Sequence, residues 1–172
     1  IYLADIGDNG HSGEVYRIYR IEEPSAEQIA SGGMLFFDSD DYDLIPFSYD
    51  LGLTGINSET LMVDDATGDL VVVAKGAPGV FILPFPQSTS QVNLAEFSGL
   101  LGGHSISATG GEISPNNGRY VLIREHNEAY AWYRPPGVSL GEALAANPCS
   151  LPVEDNGPQP AEAIGFYYNS VG

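Results

Sequence analysis

The chain has 172 residues, 23 of them Asp or Glu and only 6 Lys or Arg, for a formal net charge of -17. A chain this acidic is repelled by phosphate backbones and anionic bilayers, which excludes nucleic-acid binding. Hydrophobic residues make up 43% and charged residues 17%, which is enough apolar content for a core and too little charge for a disordered polyelectrolyte. No apolar run exceeds strand length, so no membrane-spanning helix is expected.

In chain order, Ile1-Tyr2-Leu3-Ala4-Asp5 reads as a strand leading into the turn Asp5-Ile6-Gly7-Asp8-Asn9. A second strand, Ile18-Tyr19-Arg20-Ile21, runs to Pro24. Ser25-Ala26-Glu27-Gln28 has capping-box spacing and starts a short helix. After the acidic run Asp38-Ser39-Asp40-Asp41-Tyr42-Asp43, Leu44 to Tyr49 reads as a strand. The sequence then repeats itself with a period near fifty residues. Glu59 to Val63, a turn ending at Gly68 and the strand Val71 to Lys75 align with Thr109 to Ile113, a turn ending at Gly118 and Val121 to Glu125. Gly68 and Gly118 fall where a tight turn needs positive φ. Val80-Phe81-Ile82-Leu83 and Ala129-Tyr130-Ala131-Trp132 follow, each with an aromatic five positions before a proline, as in the first copy. Gln91 to Leu94 reads as a fourth strand, Ser139-Leu140-Gly141-Glu142 as a second capping box, and Glu162 to Phe166 as the start of a further copy.

Short antiparallel strands, four to a unit and repeated at this period, predict an all-β β-propeller with short helical insertions. An ordinary β-sandwich is the alternative. The expected division is an incomplete blade with an insertion over 1–56, blades over 57–106 and 107–158, and the start of another over 159–172. That is about half of a six- or seven-bladed ring. Both ends read as cut, so the remaining blades are expected from further sequence or from partner subunits.

The Ala4-Asp5-Ile6-Gly7-Asp8-Asn9 motif, Tyr19-Arg20-Ile21 with Glu23-Pro24, Thr109 to Pro115 and Glu162-Ala163-Ile164 together resemble a family of secreted, largely uncharacterised β-propeller proteins. The similarity spans nearly the whole chain, and Thr60 is a mild departure from the family pattern. It extends more distantly to gluconolactonase-like and NHL-type propellers. The resemblance implies an extracellular propeller and no particular reaction.

Candidate chemistry centres on oxygen ligands. Asp5, Asp8 and Asn9 cluster around a glycine turn, as a Ca²⁺ site requires, although Asp and Asn also favour such turns for their own hydrogen bonding. Glu59, Glu112 and Glu162 fall in strands expected to line the central channel, where converging carboxylates need a cation or raised pKa values. Glu59, Thr109 and Glu162 are the equivalent positions, with Glu112 three residues further along. The acidic run 38–43 is read as a solvated loop, or as a weak divalent-cation site. No zinc spacing or Gly-x-Ser-x-Gly elbow occurs, and His104, in a glycine-rich stretch before a channel strand, is the only catalytic candidate. Cys149, the single cysteine, is read as a buried free thiol or as half of a disulfide to a residue outside this sequence. Trp132 is read as core. The resulting expectation is an extracellular binding or assembly module for protein or glycan partners, stabilised by a divalent cation such as Ca²⁺. The alternative is a calcium-dependent lactonase- or esterase-like hydrolase acting at the channel.

Overall fold

A computed structural model describes residues 1–76, 79–103, 107–115, 117–153 and 162–167. The elements in order are β1 (Tyr2–Asp5), β2 (Tyr16–Ile21), α1 (Ala26–Ala30), β3 (Tyr42–Tyr49), a 3₁₀ turn (Asp50–Gly52), β4 (Ser58–Asp64), β5 (Asp69–Ala74), β6 (Gly79–Leu83), β7 (Asn93–Leu100), β8 (Gly110–Ile113), β9 (Tyr120–Arg124), β10 (Ala129–Tyr133), α2 (Leu140–Leu144) and β11 (Cys149–Leu151). The fold is all-β, as composition and repeat predict. Both helices start at complete capping boxes, Ser25 with Gln28 and Ser139 with Glu142. Gly68 and Gly118 take φ of 81° and 59°, a region that costs glycine nothing.

The strands form a seven-stranded sheet in the order β1-β2-β3-β7-β6-β5-β4 and a four-stranded sheet, β11-β10-β9-β8. Each contains consecutive antiparallel strands, but the first two units are fused where one expects separate blades. The fusion is a short parallel contact in which Phe47, Ser48 and Tyr49 of β3 face Asn93, Leu94 and Ala95 of β7. Pro46 immediately precedes it on β3. Proline brings no N–H to the junction, and its carbonyl accepts from the Asn93 amide at 2.8 Å, while that same amide also donates to Ser88 O at 2.8 Å. The sheet curls until Ser58 N–H, at the start of β4, reaches Ile6 O just beyond β1 at 3.1 Å. β7 begins at Asn93, so the strand predicted over 91–94 is shifted toward the C-terminus.

Two cores lie between successive units. Leu70, Val72, Ala74, Phe81 and Leu83 pack with Ile18, Ile45, Phe47 and Tyr49. From the opposite face of the same unit, Met62, Val71, Val73 and Val80 pack with Ile113, Val121, Ile123, Tyr130 and Trp132. Each fully buried aliphatic or aromatic side chain is worth about 1.5–3 kcal/mol relative to exposure. β5 is therefore covered on both faces, which is why it reads as an unbroken Leu-Val-Val-Val run without alternation.

This arrangement corrects the repeat alignment by one residue. Val121 and Ile123 face back to the preceding unit, as Leu70 and Val72 do, so the equivalent positions are 70 and 72 and not 71 and 73. Seven residues separate Ile113 from its ladder partner Val121, against six between Val63 and Leu70. That one-residue difference exchanges the faces of the strand. The aromatic-before-proline signal holds: Phe81 and Tyr130 both face back, paired with Val72 and Ile123.

Trp132 is buried and donates its indole N–H to Ala146 O at 2.9 Å, so the core reading holds. Cys149 is exposed on β11, which overturns its reading as a buried thiol. Its strand is the outermost of the four-stranded sheet among the described residues.

Candidate functional site

The strands converge on an open cleft of about 740 Å³ whose walls come from β1, the start of β4, Lys75, the start of β8 and residues 162–164. Glycine makes the approach of the walls close enough. A Cβ at Gly110 would stand 2.5 Å from Glu162 O, and one at Gly111 would stand 2.8 Å from Leu122 O and 2.9 Å from Met62 Sδ. Those separations are too short for any real side-chain carbon.

The charged centre of the cleft is an ion pair. Lys75 Nζ lies 2.7 and 2.8 Å from the two Glu59 oxygens. Ser58 opposes Ala74 in the ladder and Lys75 N–H donates to Asn57 O at 2.8 Å. The register shifts between Ser58 and Thr60, so Glu59 is the unpaired residue of the shift and reaches Lys75 diagonally across the hairpin. Beneath this pair the Ser58 and Tyr49 hydroxyls meet in the interior at 2.8 Å. Thr109 anchors the β8 wall through its backbone N–H, 2.8 Å from Arg124 O, and Glu162 is exposed within the cleft.

Glu59, Thr109 and Glu162, equivalent by repeat, thus share one cleft, whereas Glu112 lines a separate depression and accepts from Phe166 N–H. Residues 162–167 extend beside β8 without joining a ladder among the described residues, so the strand predicted there is not formed. Asp8 accepts from three protein donors. One carboxylate oxygen accepts from Ser12 N–H at 3.2 Å, and the other accepts from Gly13 N–H at 2.7 Å and Tyr16 O–H at 3.1 Å. Asn9 Oδ1 accepts from the Asn57 amide, and Asp5 is exposed on β1. Asp8 and Asn9 are thus engaged in hydrogen bonds of the turn. In the acidic run, Asp41 accepts from Asp38 N–H at 2.8 Å and Asp43 pairs with Arg20 at 2.7 Å. Among the described residues no three His, Cys, Asp or Glu side chains come together as a metal group. His104 lies outside the described residues.

Sequence reasoning passed over Lys75, although Glu59 and Lys75 flank the predicted hairpin symmetrically. It also passed over the end of β9, where Arg124 Nε, Glu125 Oε1 and His126 Nδ1 are buried without a hydrogen-bond partner. Each such group costs about 1–3 kcal/mol. Three in succession mark this hairpin end as the least satisfied polar part of the described fold.

Electrostatics around the first turn follow from burial and hydrogen bonding. The Gly13 amide, with further donors, holds the Asp8 carboxyl below its ordinary 3.8. Burial, reinforced by the Asp8 hydrogen bond, pushes the Tyr16 phenol up to about 12. The Glu128 carboxylate, helped by burial, raises Tyr130 to about 12, and burial raises Tyr49 further still. The stabilisation from a raised phenol is complete below 10.0 and is lost as pH rises through about 12. The Asp8 contribution is present above 3.8 and is lost as pH falls through its lowered folded value. An alkaline titration followed by phenolate absorbance is expected to show three late tyrosines, and Tyr16→Phe to leave two. The same variant is expected to weaken the acid sensitivity of the turn. A titration with all tyrosines ionising near 10 would refute this arrangement.

The chain was compared with family models, curated proteins and solved structures, and none of them matches it.

Proposed function

We propose that the chain is a run of consecutive β-propeller blades that acts as an extracellular binding and assembly module, with the central cleft as its binding site. The observation that carries this reading is the convergence of repeat-equivalent segments. The start of β4, the start of β8 and residues 162–164 line one cleft, as innermost strands do around a propeller channel. β1 lines the same cleft as a free sheet edge. Leu3 on it is 53% exposed, and among the described residues no strand pairs with its outer side. An unprotected edge of that kind favours pairing with another strand. The remaining blades of the ring, from the same polypeptide or from partner subunits, would supply it.

The cleft suits a ligand that engages charges of both signs. Glu59 is neutralised by Lys75, so a divalent cation bound here would draw on Glu162 and compete with the ammonium for Glu59. Native mass spectrometry on material from the natural source, with and without a chelator, tests both parts. The expected result is a species heavier than 18.3 kDa that loses calcium-sized mass on chelation. Glu59→Gln and Glu162→Gln are expected to weaken calcium uptake without unfolding the chain. A species of 18.3 kDa with β1 amides fully protected from exchange would overturn the assembly reading. Calcium-independent mass would overturn the cation.

A further inference from the structure

The insertion between β2 and β3 is built unlike the rest of the molecule. Helix α1 buries none of its residues. The stretch after it carries Met34, Leu35, Phe36 and Phe37 in succession, with Phe36 82% and Met34 78% exposed. Ile29 on the helix is 64% exposed as well. Every large apolar side chain left in water forgoes about 1.5–3 kcal/mol of burial, and such clusters on natural surfaces mark contact sites. Leu35, Phe36 and Phe37 line a cleft of about 450 Å³ with Glu22, Glu23 and Asp40. Those three carboxylates make no hydrogen bond or ion pair among the described residues. Residues 22–42 contain six Asp or Glu and no Lys, Arg or His.

We infer that this cleft docks a segment of another protein in which Lys or Arg side chains flank two or three large apolar ones. The apolar run supplies the area to be buried, and the unpaired carboxylate rim selects the sign of the partner. An anionic lipid surface would meet the same rim as repulsion. The inference is independent of how the propeller ring is completed, because every residue it uses belongs to the insertion.

The test is calorimetry on the full chain at about 0.15 M salt, where long-range attraction to the acidic protein is screened. The probe is a synthetic peptide alternating lysine pairs with leucine and phenylalanine. One-to-one binding is expected. It should weaken by about tenfold or more in Met34→Ser/Phe36→Ser, which leaves net charge unchanged, and likewise in Glu22→Gln/Glu23→Gln/Asp40→Asn. The distant triple variant Glu14→Gln/Asp65→Asn/Glu96→Gln is expected to change it by less than about twofold. Equal binding by Met34→Ser/Phe36→Ser would reduce the effect to general charge attraction and overturn the proposal. So would self-association abolished by that variant, which makes a second copy the occupant, or equal binding of phosphatidylcholine vesicles.

Discussion

Replacing Arg134 with methionine is expected to lower the melting temperature by roughly 6–20 °C, from a cost of about 3–5 kcal/mol for orphaning a buried charge and about 2–4 °C per kcal/mol at this chain length. Arg134 Nη1 lies 2.5 Å from Asp64 Oδ2, and the Asp64 side chain is only 3% exposed. The pair joins the last residue of β4 to the residue that follows β10 in the next unit. Arg134 is itself fixed by its Nε, which donates to Val138 O at 2.9 Å, and by its backbone N–H, which donates to Arg119 O at 2.7 Å. Without the guanidinium, the carboxylate keeps one side-chain hydrogen bond, from Ala66 N–H at 3.1 Å, and no counter-charge.

The two partners are not equivalent, and the difference decides the mechanism. Arg134 is 19% exposed along its side chain and can turn toward water when Asp64 is lost. Asp64→Asn also keeps the acceptor for Ala66 N–H, so it is expected to cost less than Arg134→Met. The double variant Asp64→Asn/Arg134→Met should recover part of the loss of Arg134→Met, because it removes the stranded charge. Thermal unfolding of the four proteins completes the cycle. If Asp64→Asn proves the more damaging, or the double variant the sum of both, the pair does not act as a buried clamp.

That clamp spans seventy positions of sequence, and nothing in the local pattern of either segment announces it. What was legible was local: hairpin turns at Gly68 and Gly118, both capping boxes, and the aromatic-before-proline spacing at Phe81 and Tyr130. Each expresses an interaction confined to a few neighbouring residues. The slip at Val71 to Val73 has the opposite cause. Three consecutive valines covered on both faces carry no alternation, so the sequence cannot say which of them faces back until the longer turn after β8 is seen. Within the cleft, repeat position alone brings Glu59 and Glu162 together, whereas Lys75 has no counterpart of like charge at the equivalent place in the next copy, so the repeat carries no signal for it. Asp8 reads from sequence both as a turn former and as a cation ligand, and the Tyr16 hydroxyl and Gly13 amide that engage it arrive through folding of a loop with no pattern of its own.

Gly141 is the position where local propensity and packing point in opposite directions. It is the second residue of α2, and helix propensity alone predicts that Gly141→Ala stabilises by about 0.8–1 kcal/mol. The helix, however, docks on β7 at this glycine. A Cβ there would stand 2.2 Å from Ser98 Oγ and 2.5 Å from Ser98 O. The hydroxyl can rotate away and the backbone carbonyl cannot. Lifting α2 would also disturb Leu144, which is fully buried in the same core as Trp132, and the Gly102 N–H bond to Leu144 O at 2.8 Å. Overpacking of this kind costs about 1–3 kcal/mol, more than the propensity gain. With a fixed carbonyl at 2.5 Å the upper half of that range applies, so net of the propensity gain the loss is about 1–2 kcal/mol. Gly141→Ala is therefore expected to melt about 2–8 °C lower, with amide exchange accelerated in α2 before the rest of the fold. Adding Ser98→Gly should recover little, since the carbonyl remains. A melting temperature equal to or above that of the parent would mean that α2 docks less closely than this geometry requires, leaving propensity to decide the outcome.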